Sequence, residues 1–161
     1  MKNTAHTLSH ITLIVFLIAQ IVFFIIYFEY GTIEILKIIG MPLWIISALL
    51  GWLPIYLFRK KAGVPKGASF VKTTKIVTTG IYSIVRHPQY LAGILLSIAF
   101  MLISQHWIVV VLGIPVIVIF YIGGIDEDRA VVKKFGKEYE DYMKKVPRFN
   151  ILLGIIRRLR R

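Results

Sequence analysis

Three consecutive residues, Arg86, His87 and Pro88, stand where a lysine-rich loop gives way to an apolar run in "SIVRHPQYLAG" (83–93). Proline is favoured at the first position of a helix, so the spacing predicts a helix that begins at Pro88, with His87 near its N-cap. The free N–H groups of a first helical turn and the helix dipole favour an anion, and Arg86 adds a fixed positive charge. The alternative is that Arg86 reaches lipid phosphate and His87 is an incidental interfacial residue.

A second candidate group is acidic: Asp126, Glu127 and Asp128 precede Arg129 in "YIGGIDEDRA". Acids near a helix C-terminus are opposed by the dipole, which favours a ligand role. The alternative is that a new helix starts here and the acids stabilise its N-terminus. The preceding Gly123 and Gly124 predict either close backbone approach or a distortion of the helix.

Four apolar runs must position these groups: Leu8–Phe28, Ile35–Phe58, Tyr90–Ser104 and Trp107–Ile125. With 57% hydrophobic residues and a mean hydropathy of +0.75, the chain of 161 residues is predicted to be a polytopic membrane protein. The first run is too long for a signal peptide and lacks a cleavage site. The expected fold is all-α, with about four transmembrane helices and a C-terminal amphipathic helix at the cytoplasmic face.

Basic residues set the expected orientation. Between 59 and 87 there are seven lysines or arginines and no acid, and further basic residues follow run four. Both termini, the 59–87 loop and the active site are therefore predicted to be cytoplasmic, in a cell or inner membrane. This bias also explains the net charge of +12, so no nucleic-acid partner is expected. No cysteine is present, which excludes disulfides and thiolate chemistry.

The tail contains apolar residues at helical spacing, which predicts an amphipathic helix at the membrane, with its rings towards the bilayer or the core and a candidate break at Gly136. Pro147 is expected to stop this helix, and Arg148 to point into the headgroup layer. Arg157, Arg158, Arg160 and Arg161 then form a basic end suited to anionic lipid. The chain is expected to form one membrane domain. Within it, 1–58 supplies two N-terminal helices, 80–149 the catalytic core and 150–161 the basic tail.

Runs three and four form a hairpin, so the cationic helix start and the acidic cluster should lie side by side, near Tyr82, Tyr90 and Tyr121. A zwitterionic ligand with a carboxylate, an ammonium and an aromatic base would match these groups. S-adenosylmethionine is such a ligand, and aromatic faces can hold its sulfonium.

The span from Gly80 to Phe149 resembles the core of the isoprenylcysteine carboxyl methyltransferase and phospholipid methyltransferase superfamily. The matching positions, in order, are Arg86, His87, Pro88, Tyr90, the acidic pair Glu127–Asp128, Phe135, Gly136, Tyr139, Tyr142, Val146 and Pro147. Two positions depart from the family pattern. Ala92 stands where a glycine is common, with Gly93 next, and the second acid is Asp128 rather than glutamate.

The resemblance implies an integral-membrane methyltransferase that binds S-adenosylmethionine without a Rossmann domain and takes its acceptor from the bilayer. The residues it assigns to the cofactor are Arg86, His87, Tyr90, Gly93, Tyr121, Glu127 and Asp128. For a prenylcysteine carboxylate, Arg129 or Arg148 would hold the acceptor. For a phospholipid amine, Asp126 or Asp128 would receive its proton. Arg129, Arg148 and Asp128 are thus the candidate catalytic residues.

Two other classes of protein remain as alternatives. A non-enzymatic four-helix transporter or scaffold would explain the runs and the charge bias, but not the motifs together. A membrane reductase would need a cradle for the nicotinamide phosphates, and the chain has no Gly-x-Gly-x-x-Gly or P-loop pattern. No metal site is expected.

Overall fold

The chain folds into helices, whose backbone the computed structural model describes for residues 2–61 and 75–160, with side chains for 7–55 and 75–160. The helices are α1 (Lys2–Ile26), α2 (Glu34–Lys61), α3 (Pro88–Ser104), α4 (Trp107–Phe135), α5 (Lys137–Lys145) and α6 (Ile151–Leu159), with a 3-10 turn at Gly80–Ser83. No strand occurs within these ranges. The basic loop residues Lys66 and Lys72 lie outside the described residues.

Among the residues that the structure describes, three helical segments are long and apolar enough to cross a bilayer: Thr7–Ile26, Glu34–Ile55 and Trp107–Phe135. The prediction of a helical membrane bundle is thereby confirmed. Helix α3 begins at Pro88, as predicted, but has 17 residues. At about 1.5 Å per residue it is about 25 Å long, near the short end for a span.

The end of α4 differs from the prediction. Run four was expected to end at Ile125, but the helix continues to Phe135, so Asp126, Glu127 and Asp128 lie within it. The alternative that the acids stabilise the start of a new helix is therefore wrong. No glycine or proline follows Gly124 until Gly136, whose φ of 58° ends the helix at the predicted break.

The chain divides into two compact units. The first combines Met1–Leu49 with Tyr90–Gly123, and the second combines Leu50–Gln89 with Gly124–Arg161. The predicted grouping into 1–58, 80–149 and 150–161 stays a prediction.

The first unit has an apolar core formed by Phe24, Phe100, Ile103 and Val109. Beside it lies a buried polar pair. The Gln20 amide donates to the Ser97 carbonyl at 3.2 Å and the Val109 carbonyl at 3.3 Å, and the Ser97 hydroxyl donates to the Gln20 Oε1 at 3.0 Å. Polar groups in an apolar environment cost free energy unless they are hydrogen-bonded, so these bonds hold α1, α3 and α4 together.

The second unit has its own core of Tyr139, Tyr142 and Val146. The partly buried apolar side chains packed against it are Ile76, Val131, Val132, Phe135 and Met143. The predicted apolar face of the tail is therefore confirmed, and of the two surroundings expected for it, the bilayer or the core, it packs on the core of the second unit. Helix α5 ends before Pro147, as predicted.

The basic tail is itself helical. The Asn150 Oδ1 caps α6 by accepting from the Leu153 N–H at 2.9 Å. On the next turn Gly154 is buried against Ile84, where a Cβ would overlap the Ile84 carbonyl oxygen. A glycine at this position thus allows α6 to pack closely on the segment that leads to Arg86.

Candidate functional site

The carboxylate of Asp128 is buried in the second unit and accepts four hydrogen bonds. At Oδ1 the donors are His87 Nε2 and the Tyr139 hydroxyl, each at 2.7 Å. At Oδ2 they are Arg86 Nη2 at 2.9 Å and Arg148 Nε at 2.7 Å. A carboxylate has about four lone-pair positions, so the acceptor capacity of Asp128 is filled by the protein. These five residues are called the Asp128 cluster below.

Arg86 connects α4 to the end of α5. While Nη2 donates to Asp128, Nη1 donates to the carbonyl oxygens of Met143 and Val146. The Nε atom is buried without a partner among the described residues. Arg86 therefore lies in the protein interior and does not reach lipid phosphate, contrary to the alternative considered from the sequence. Its predicted role in cofactor binding stays a prediction.

His87 lies between the two acids. Because a carboxylate only accepts, the imidazole Nε2 donates to Asp128, and Nδ1 lies 3.7 Å from the Glu127 Oε2. Glu127 differs from its neighbour, since 44% of its side chain is exposed. The acidic pair is thus split: Asp128 faces the interior and Glu127 is accessible.

Two tyrosines that were noted only as motif positions complete the geometry. Burial, followed by the bond to Asp128, raises the pKa of Tyr139, so its phenol stays protonated and donates. The Tyr142 hydroxyl donates to the Tyr82 carbonyl at 2.6 Å. Burial, and then the charge of Glu127, raise the pKa of Tyr82. The Tyr-x-x-Tyr spacing in the amphipathic tail was the available signal for both roles.

Arg148 is anchored and also partly exposed. Arg148 donates a hydrogen bond from Nε to the Asp128 carboxylate, and 28% of its side chain is exposed. Two backbone hydrogen bonds also hold this segment: the Arg86 N–H donates to the Pro147 carbonyl at 3.0 Å, and the His87 N–H donates to the Arg148 carbonyl at 3.3 Å. Asp128 fixes one edge of the guanidinium, and the expectation that Arg148 points into the headgroup layer stays a prediction.

The other predicted residues lie outside this cluster. Arg129 forms an exposed ion pair with Asp126 at 3.0 Å. Tyr90 and Tyr121 belong to the first unit, where Tyr121 is exposed and Tyr90 packs edge-on to Phe120 at 6.2 Å. A Cβ at Gly123 would lie 2.7 Å from the Tyr90 ring. Close approach at this glycine is therefore confirmed, and α4 runs through it without a break.

Gly93 also contacts a ring: a Cβ there would overlap Phe120. We expect Gly93→Ala to lower the free energy of unfolding by about 1–3 kcal/mol, because the added methyl group overpacks the contact between α3 and α4. Denaturant titration in detergent measures this loss. In a Phe120→Leu background, where the smaller side chain leaves room for the methyl group, adding Gly93→Ala should cost much less stability than it does in the wild type. Full stability of Gly93→Ala with weakened cofactor binding would instead support the predicted ligand contact.

The cluster contains charged and hydrogen-bonding groups but no group of metal ligands. Among the described side chains, no three His, Cys, Asp or Glu residues come together to hold a metal ion.

Phe149, which the sequence did not single out as a site residue, fills the space over Gly124, and its ring centre is 6.2 Å from that of His87. The sequence signal for this contact was the Gly123–Gly124 pair, which predicted close approach.

Comparison with known proteins gives one family. A family model described as phospholipid methyltransferase matches residues 35–138, more than half of the chain. The matched range includes Arg86, His87, Glu127 and Asp128, and it ends before Tyr139 and Arg148. No curated protein and no solved structure matches the chain.

Proposed function

Because the chain belongs to the phospholipid methyltransferase family, and is thus a membrane methyltransferase, we propose that it methylates the amine of a phospholipid headgroup with S-adenosylmethionine as the donor. The family match gives no support to a transporter, a scaffold or a nicotinamide-dependent reductase. Its description favours a phospholipid over a prenylcysteine acceptor.

The observation that carries the proposal is the split acidic pair. Asp128 uses its lone pairs within the protein, whereas Glu127 presents an accessible carboxylate 3.7 Å from the buried imidazole of His87. An ammonium group or ribose hydroxyls would find an acceptor in Glu127. Arg148, anchored through Nε, presents positive charge to an anionic group. The donor set therefore fits a ligand that carries both signs of charge.

The contacts of the Asp128 cluster, and of Glu127 beside it, indicate what these residues would do. When bound, S-adenosylmethionine supplies an electrophilic methyl group on its sulfonium. Glu127 and His87 would hold the cofactor, while Arg86, Tyr139 and Asp128 fix their positions through buried hydrogen bonds. Such preorganised, dry surroundings favour a displacement whose main requirements are alignment and exclusion of water.

The acceptor amine has to lose a proton before it attacks. Asp128 is poorly placed to receive it, because its four acceptor positions are occupied. Asp126 is exposed and pairs with Arg129, so we assign proton removal to Asp126 or to water at its carboxylate. The Arg148 guanidinium would hold the headgroup phosphate. Following the charge bias of the loops, we place this chemistry on the cytoplasmic side.

Calorimetry in detergent with S-adenosylhomocysteine tests the cofactor assignment. We expect binding to the wild-type chain, and Glu127→Gln should weaken it at least about tenfold, the effect of losing a hydrogen bond to a charged group. Thermal stability should not change, since the Glu127 side chain is partly exposed. Glu138→Gln, an exposed acid in the first turn of α5, is the matched control and should bind normally.

Transfer of labelled methyl groups distinguishes the acceptors. Phosphatidylethanolamine vesicles are expected to become labelled, and a prenylated cysteine analogue is not. Absence of binding heat from folded protein at high micromolar ligand would contradict the cofactor assignment, and binding of NADPH in its place would support the reductase. Label in the prenylcysteine analogue alone would contradict the phospholipid assignment.

A further inference from the structure

Helix α6 has two faces of different character. Its nine residues place Gly154 against Ile84, on the inner face. With about 100° per residue, Leu152, Ile156 and Leu159 lie on the opposite face. Their exposed fractions are 75%, 48% and 81%. These three side chains, called the α6 ridge below, form an apolar strip that the described protein does not cover.

The last turn of α6 is basic. Arg157 lies towards the protein and donates from Nη1 to the Lys144 carbonyl at 3.2 Å, whereas Arg158 and Arg160 are exposed. Residues 150–161 contain no acid. The positive charge of this helix is therefore not neutralised within its own segment.

We propose that α6 docks on the anionic lipid surface of the bilayer. The α6 ridge would enter the boundary between headgroups and acyl chains, and Arg158 and Arg160 would contact lipid phosphate, the arrangement that amphipathic surface helices adopt. A second copy of the chain would bring the same basic residues together and is disfavoured by charge. A nucleic acid would satisfy the arginines but offers no apolar layer for the ridge.

This docking does not depend on the methyl-transfer chemistry, but it bears on the site. Gly154 holds α6 against Ile84, two residues before Arg86, and Arg157 binds the carbonyl next to Met143, whose own carbonyl accepts from Arg86. The surface helix is thus packed directly on the segments that position the Asp128 cluster.

Site-directed spin labelling tests the proposal, since the chain has no native cysteine. Full-length Leu152→Cys is labelled and reconstituted in nanodiscs of phosphatidylcholine, with or without about one third phosphatidylserine. We expect the ratio of oxygen to nickel-chelate accessibility to rise at least about twofold in the anionic discs, because the label moves into lipid. A label at Glu138→Cys, on the exposed side of α5, should remain accessible to nickel in both.

The charge dependence requires its own comparison. Arg158→Gln with Arg160→Gln should remove the difference between the two kinds of disc, whereas Lys133→Gln with Lys137→Gln removes as much charge and should preserve it. A label at 152 that is equally accessible to nickel in both discs would overturn the proposal. So would lipid exposure that is indifferent to phosphatidylserine, or spin–spin broadening that reveals a second copy on the α6 ridge.

Discussion

Asp128→Asn is expected to abolish methyl transfer and to lower the free energy of unfolding by about 3–5 kcal/mol, the cost of breaking a buried ion pair by removing one partner. Two guanidinium groups share Oδ2, and the imidazole and the Tyr139 hydroxyl share Oδ1. Asparagine offers one acceptor oxygen, and its amide would face donors. Denaturant titration in detergent gives the loss of stability, and labelled methyl transfer gives the loss of activity.

Asp126→Asn is the matched control for stability only, because it removes a charge two residues away but also the carboxylate to which we assign proton removal. Its ion pair with Arg129 is exposed, and such pairs contribute about 0–1 kcal/mol. Wild-type stability of Asp128→Asn would mean that the four bonds do not hold the second unit together. Normal cofactor affinity in that variant would remove the Asp128 cluster from the active site.

The contrast between neighbouring acids separates positioning from binding. Asp128→Asn should reduce stability and affinity together, because it releases Arg86, His87 and Arg148. Glu127→Gln should reduce affinity alone, because Glu127 is partly exposed and lies beside the cluster without filling it. A sequence in which both positions are acidic cannot reveal this division, since it depends on which carboxylate the end of α4 turns inward.

Local signals predicted several boundaries correctly. Pro88 starts α3, Gly136 ends α4 with a positive φ, and α5 stops before Pro147. Each depends on the conformation of one or two residues, which sequence specifies directly. The apolar runs also predicted the membrane helices, because length and composition are sufficient for a span.

Packing partners were harder to predict. Arg86 and Asp128 are 42 residues apart, and Arg148 reaches the same carboxylate from a distance of 20 residues. The periodicity of the tail identified an apolar face but not what covers it, and that face packs on the core of the second unit. The exposed apolar strip belongs to α6, whose arginines had marked the tail only as basic. Likewise, three consecutive acids can stand at the start of a helix or inside one. The residues around Asp126–Asp128 did not distinguish these two positions.

Arg148→Lys is expected to lower kcat/KM for the phospholipid about 10- to 100-fold, with S-adenosylhomocysteine affinity within about threefold of wild type. Arginine can donate from Nε to Asp128 Oδ2 at 2.7 Å while its terminal nitrogens, on a side chain that is 28% exposed, bind a phosphate. A lysine ammonium is a single point charge and cannot serve both partners. The loss should appear mainly in the KM for the acceptor, measured with vesicles of varied phosphatidylethanolamine content.

The conservative substitution decides between two roles for Arg148. If the residue only supports Asp128, lysine preserves that ion pair and turnover stays near wild type, while Arg148→Ala reduces stability and cofactor affinity together. If it also holds the acceptor, lysine fails on turnover although the fold and cofactor affinity are retained. Arg157→Lys is the control, because it keeps the charge of an arginine that donates to the Lys144 carbonyl and not to Asp128. Normal turnover in Arg148→Lys, with a loss only when Arg158 and Arg160 are neutralised, would transfer acceptor recognition from Arg148 to the membrane surface bound by α6.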